Sequence, residues 1–280
     1  MPETELGFHC HGLDQIQGSI LDNDLSRGEF FNFPPQEITG LKKELIDRDL
    51  ARSIHAPLLK PDWYPDPPTW SFLCDVASDS RNRTFKMITE TLVQAGDFGA
   101  EYIIVHFPIP STDGAGESES KLRNIAWKSC DQLAELSQRY GVPIHIEGLG
   151  NSPYLNDGFL TDTLEQYPLR YCFDTGHMRL ASQACGFELY DFAAAMAPFV
   201  GSVHLWNVRG LEDYRNFRHI PVHPSQNPDE GWGDIKRLLE ILKPSYPLIF
   251  ESPPLYPEAL GNYDYCDGVE WVKEILTTLS

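Results

Sequence analysis

Short apolar runs rich in Val, Ile and Tyr alternate along the chain with longer stretches in which apolar residues recur every three or four positions. The short runs read as strands buried on both faces and the longer stretches as crossover helices, an order that makes neighbouring strands parallel. Eight runs qualify: LGFHCH (6–11), ARSIHAP (51–57), EYIIVHFP (101–108), PIHIEGLG (143–150), LRYCFDTGH (169–177), VGSVHLWNV (200–208), RHIPVHP (218–224) and PLIFESP (247–253). Between them, helical spacing joins Phe85, Ile88, Leu92 and Val93, then Leu122, Ile125, Leu133 and Leu136, then Ile235, Leu238, Leu239 and Leu242. A last set, Val269, Val272, Ile275, Leu276 and Leu279, supplies a closing helix. Asp79 and Asp234 stand where helix caps belong. A length of 280 residues with 41% apolar side chains is ample for one large core. Neither an internal repeat nor a clear boundary interrupts the pattern, and the glycine-rich phosphate loop often used by the competing doubly wound sheet is missing. The expectation is a single (β/α)8 TIM barrel over residues 1–280.

A parallel barrel delivers the C-terminal end of every strand to one mouth, so residues far apart in sequence converge there. His55, His106, Glu147, Asp174, His177, His204, His219, His223 and Glu251 all fall at or just beyond the ends of the expected strands, not in the helices. The local contexts repeat: SIHAP, IVHFP, HIEGLGN, FDTGHM, SVHLWN and IFESPP each place a candidate after an apolar strand and before a loop former. One such histidine alone reads as a hydrogen-bonded strand end; the repetition points to imidazole and carboxylate donors around a divalent cation, zinc first, with Mn, Fe or Co as alternatives.

The formal charge of -19 disfavours partners bound through their phosphates, such as duplex DNA or an anionic membrane. The six scattered cysteines form no metal knuckle or disulfide framework, the stretch MPETELGFHC lacks a basic region followed by an apolar one, and no apolar run reaches membrane length, so neither export nor membrane spanning is expected. These features lead to the expectation of reduced thiols in a cytoplasmic protein that acts on a small molecule, with outer helices able to support a homodimer.

The ligand series and strand order resemble the xylose isomerase-like barrels, which include endonuclease IV and the sugar or sugar-phosphate isomerases and epimerases. The resemblance implies that Glu147, Asp174, His204 and Glu251 hold the shared ion, with Asp174 and His177 in a D-T-x-H motif. It further implies that His55 and His106 hold a second ion in the endonuclease IV manner, bridged by Glu147. A third ion in that branch would use His177, a histidine such as His219 and an Asp two residues before it; Phe217 occupies that position here, so a third ion would need another donor such as His223.

Two chemistries follow from the resemblance. With two ions, the chain would hydrolyse a phosphoester, preferably a small phosphodiester rather than duplex DNA; one class of similar barrels cleaves the nucleotide loop of cobamides. With one ion, it would isomerise or epimerise a sugar or sugar phosphate, Glu147 and Glu251 moving the proton. A barrel that binds metal or ligand without turnover is the non-enzymatic alternative. Candidates to meet substrate are His177, Arg179, Trp206, Arg209, His219 and His223, and Trp63, Tyr64 and Trp70 are candidates for a stacking wall. The proline-rich loop KPDWYPDPPTW (60–70) reads either as a lid or as a static excursion.

Overall fold

The computed structural model describes residues 4–107, 117–149, 154, 158–253 and 263–279. Eight strands pair in sequence order into a closed barrel. All of the pairings are parallel, and β1 meets β8. The strands are β1 (Leu6–Cys10), β2 (Arg27–Phe30), β3 (Ala51–His55), β4 (Ile103–His106), β5 (Ile144–Glu147), β6 (Arg170–Asp174), β7 (Val200–Leu205) and β8 (Leu248–Phe250). The surrounding α-helices are α1 (Ile38–Asp47), α2 (Ser78–Phe98), α3 (Glu119–Tyr140), α4 (Phe159–Gln166), α5 (Thr175–Cys185), α6 (Leu189–Met196), α7 (Leu211–Phe217), α8 (Ile235–Leu242) and α9 (Tyr265–Leu279). This is a (β/α)8 TIM barrel. No described helix is long and apolar enough to cross a membrane, and all six cysteines are free.

The expected strand set needs one exchange. RHIPVHP (218–224) is not a strand of the barrel; its one bridge, Asn207 to Ile220, is antiparallel. Ile220 and Val222 are buried, which explains the apolar pattern, but Pro221 lacks the amide a strand ladder needs. The missing strand is β2, whose sequence RGEF has no apolar run at all. It is nonetheless buried at every position, because the interior it faces is polar.

That polar interior begins at the N-terminal end of the barrel. Arg27 is 1% exposed and donates through Nε to Glu5 at 2.7 Å and through a terminal nitrogen to Glu101. Its guanidinium lies 5.7 Å from the Tyr102 ring centroid, and Tyr102 stacks on His145 at 4.1 Å. Burial pushes His145 down to about 3, so its ring is neutral, and its Nδ1 hydrogen-bonds with Ser202 at 2.9 Å. Buried polar groups are costly without partners, and most of these find one, although one Arg27 terminal nitrogen and the Tyr102 hydroxyl do not. Above this layer the Ser53 hydroxyl donates to Glu29, and Glu29 in turn faces His204.

The helix expectations hold with three changes. Val93 is 49% exposed and faces away from the wall that Phe85, Ile88 and Leu92 cover. Asp79 lies in the first turn of α2, where Ala77 occupies the cap position, whereas Asp234 does cap α8 by accepting from the Arg237 amide at 3.0 Å. His177 lies within the first turn of α5 rather than in a loop. The 60–70 loop is packed rather than free-standing: Tyr64 is buried, and its hydroxyl donates to the Trp70 carbonyl and lies 3.3 Å from the Thr84 hydroxyl of α2.

The two aspartates give a direct comparison. Asp234→Ala should cost about 1 kcal/mol through the lost cap, while Asp79→Ala, which removes only a charge near the helix dipole, should cost about 0.5 kcal/mol or less. Urea unfolding of the two variants and the parent, under conditions where unfolding is reversible, measures the difference.

Candidate metal centre

The barrel register builds the site. Pairing of β4 with β5 sets His106 opposite Glu147, pairing of β6 with β7 sets Asp174 opposite His204, and Glu251 follows β8 directly. One donor atom from each of Glu147, Asp174, His204 and Glu251 lies within 4.8 Å of the others, and a group of His55, His106 and Glu147 meets the same criterion. Glu147 belongs to both groups. Among these residues Glu147, Asp174 and His204 are buried, and Glu251 is 13% exposed.

Asp174 is positioned three ways. It ends β6 and caps α5, accepting from the His177 amide at 2.6 Å. Its other oxygen accepts from Trp206 Nε1 at 2.7 Å. Thr175 donates to the Trp206 carbonyl at 2.6 Å, tying the ends of β6 and β7 together. Gly176 completes the motif, since a Cβ there would stand 2.3 Å from the Trp206 indole. The D-T-G-H sequence is thus a cap, a cross-strand tie, a close approach and a histidine one turn into the helix.

Two histidines have their tautomers set from behind. His204 donates from Nε2 to Glu29 at 2.8 Å, which turns Nδ1 toward Glu251 at 2.9 Å, Glu147 at 3.6 Å and Asp174 at 3.7 Å. His106 donates from Nδ1 to the Thr69 carbonyl at 2.8 Å, leaving Nε2 facing Glu147 at 3.4 Å. Such outer partners orient metal-binding imidazoles.

The donor set fits a divalent cation. His204 Nδ1 and Glu251 Oε2 are buried and 2.9 Å apart, yet neither has a hydrogen-bond partner, and His55 Nδ1 is likewise buried without one. A nitrogen lone pair and a carboxylate oxygen repel at that separation unless positive charge lies between them. Hard carboxylates with neutral imidazoles suit Zn, Mn, Fe or Co.

Burial alone would raise the Glu147 and Glu251 carboxyls, but His106 and His204 hold Glu147, and His204 and His219 hold Glu251, well below the usual carboxylate range. Burial would lower His204; Cys172, Glu251, Glu29 and Glu147 together raise it well above the ordinary imidazole value. Without a cation, protons take the position between these groups.

The remaining expected residues divide. His177 and His219 line the cavity over the metal centre, and His219 stacks on Trp206 at 4.1 Å while donating to the Glu251 carbonyl. Trp206 is fully buried and acts through Asp174 rather than on the cavity surface. Arg179, Arg209 and His223 are not brought to the cavity. Arg179 donates to the Gly231 carbonyl, Arg209 is paired with Asp213 at 2.6 Å, and His223 bonds Ser225 and faces Asp267. Of the aromatic wall, Trp70 lines the cavity, Tyr64 is buried beneath it, and Lys86 lies over Trp63.

Two residues went unnoticed in the sequence. Glu29 sits on the unrecognised β2. His9 stacks on His55 at 5.3 Å, with Nδ1 3.2 Å from Glu251. His9 follows the same rule as the others, a histidine near the end of an apolar strand, and could have been found by it; RGEF gave no periodic signal.

Residues 9–275 match the family described as xylose isomerase-like TIM barrel. In structure, the chain is similar to a D-tagatose 3-epimerase-like protein at 16% identity and a TM-score of 0.73, covering 99% of this chain and 98% of that one. It is similar to an IolI protein with a bound zinc atom at 11% identity and a TM-score of 0.71, covering 99% and 98%. It is also similar to endonuclease IV from Thermus thermophilus at 16% identity and a TM-score of 0.60, covering 98% of each chain. No curated protein matches the chain.

Glu29→Gln should weaken binding of the ion at His204 by about 10–100-fold with the fold retained, as loss of an outer partner does elsewhere; competition against a chromogenic chelator reads the change. Because the raised His204 must lose its proton to bind, metal uptake should release protons, and affinity should fall as pH falls below the His204 pKa. Calorimetry in buffers of different ionisation enthalpy counts the protons, and uptake with no release would contradict the raised His204 pKa.

Proposed function

The chain belongs to the xylose isomerase-like TIM barrel family, and we propose that it is a metal-dependent hydrolase acting on the phosphoester of a small molecule. The observation that carries this reading is the place of Glu147 at the junction of two donor groups, with His106 and His204 each turned toward it by a partner behind the ring. A centre for one ion would leave His55 and His106 as polar wall residues, whereas a centre for two ions uses them and a bridging carboxylate. Divalent ions held by these two groups would supply Lewis acidity for water attack on a phosphoester. His177 and His219, at the cavity floor, hydrogen-bond substrate oxygens. Glu251, open to the cavity and held ionised, accepts a proton. A cavity formed inside the ring of strand ends admits a small molecule more readily than a duplex, in keeping with the net charge of -19.

A second reading, a sugar or sugar-phosphate isomerase or epimerase, is supported by the Glu147–Glu251 pair. The two carboxylates approach His204 Nδ1 at 3.6 Å and 2.9 Å; an ionised member can remove a proton, and its partner, once protonated, can return one.

Stoichiometry separates them. Elemental mass spectrometry of protein purified without chelators should find about two ions per chain in the parent and about one in a His55→Ala, His106→Ala double variant, with hydrolysis of bis(4-nitrophenyl) phosphate falling about a hundredfold or more. One ion in both proteins, with epimerisation of a ketose intact, would favour the second reading.

A further inference from the structure

The cavity over the metal centre is built for more than the reacting group. Its volume is about 960 Å³, near the upper end of the roughly 300–1,000 Å³ of ligand pockets. Its floor is imidazole and carboxylate, while its walls carry Phe31, Trp70, Leu180, Leu211 and Tyr214. Among the described residues, four large hydrophobic side chains are exposed, and two of them, Trp70 at 47% and Leu211 at 51%, line this cavity. Apolar surface left open to water around a concave site marks a ligand that covers it. A free sugar covers it poorly, because Phe31, Trp70, Leu180 and Leu211 offer its hydroxyls no partner in exchange for water.

Arg218 is the one Lys or Arg among the described residues lining the cavity. It carries no carboxylate partner among those residues, and its guanidinium lies 5.4 Å from the Tyr214 ring centroid. Its backbone is in the left-handed region, at φ 60°, ψ -131°. A non-glycine residue held there is strained, and such strain collects at ligand sites.

We propose that the substrate is an amphiphile: an oxygen-rich end reaches the metal floor, a flat apolar group lies against Trp70, Leu211 and Tyr214, and Arg218 meets negative charge on the same molecule. The inference rests on the reading above for which end reacts, while the apolar wall and Arg218 stand apart from it.

Equilibrium binding to the metal-loaded full chain tests it without turnover, using methyl phosphate against 2-naphthyl phosphate and methyl β-D-glucoside against 2-naphthyl β-D-glucoside. The naphthyl phosphate should bind at least about tenfold tighter than its methyl partner. Trp70→Ser and Leu211→Asn alter half-exposed side chains, so both should fold, and each should shrink that ratio to about threefold or less. Arg218→Gln should weaken the phosphates about tenfold and leave the glucosides unchanged. A naphthyl preference confined to the glucosides would support the apolar wall and sink the phosphoester reading. Equal binding within both pairs, a preference intact in both wall variants, or binding of none of the four probes would overturn the inference.

Discussion

An imidazole lone pair facing carboxylates in a dry barrel is the constraint on which the site depends. His204 reaches this state because Glu29 accepts the hydrogen bond from its other nitrogen. Everything that holds Glu29 follows: β2 must be a strand although its sequence has no apolar run, Ser53 must donate to the carboxylate, and the barrel beneath must stay polar as far as Arg27. A core of branched aliphatic side chains, the usual filling of such a barrel, would leave Glu29 buried without partners. The cluster is therefore not set on top of an ordinary core. It is the upper layer of a polar column running most of the barrel axis.

The architecture was legible because seven strands are apolar runs followed by helices of regular period. The exception is instructive. β2 is charged because it faces a polar interior, and RHIPVHP resembles a strand because Ile220 and Val222 are buried for another reason. The count of eight was right through two opposite errors. Single-sequence patterns report burial against apolar surroundings, so a strand buried against charge is silent.

The proximity of the candidate donors was legible too, since each was placed at a strand end that faces one mouth. The six residues expected to bind metal fall into two groups that share one carboxylate. What failed was inference from position to direction. Arg179 and Arg209 lie close in sequence to donors, yet their side chains leave toward Gly231 and Asp213. Trp206 was expected on the substrate side and instead supports Asp174 from behind. Sequence places a residue at the mouth of a barrel; only packing decides whether its side chain turns inward. Arg218, the cation that does line the cavity, sits at the end of a segment expected to be a strand, where the real backbone takes a conformation no periodicity announces.

The hydrogen bond from His106 to Thr69 has a consequence for how barrels of this kind can diversify. The His204 group is oriented from inside, by a strand, whereas the His106 group is oriented from outside, by a carbonyl on the loop between β3 and α2. Loops accept insertions and exchanges that strands do not. The two halves of the centre are therefore open to change at different rates: reshaping one surface loop would loosen His106 while every donor residue stayed in place and the inner quartet kept its geometry. A lineage could pass between one-ion and two-ion chemistry through a segment that touches neither ion.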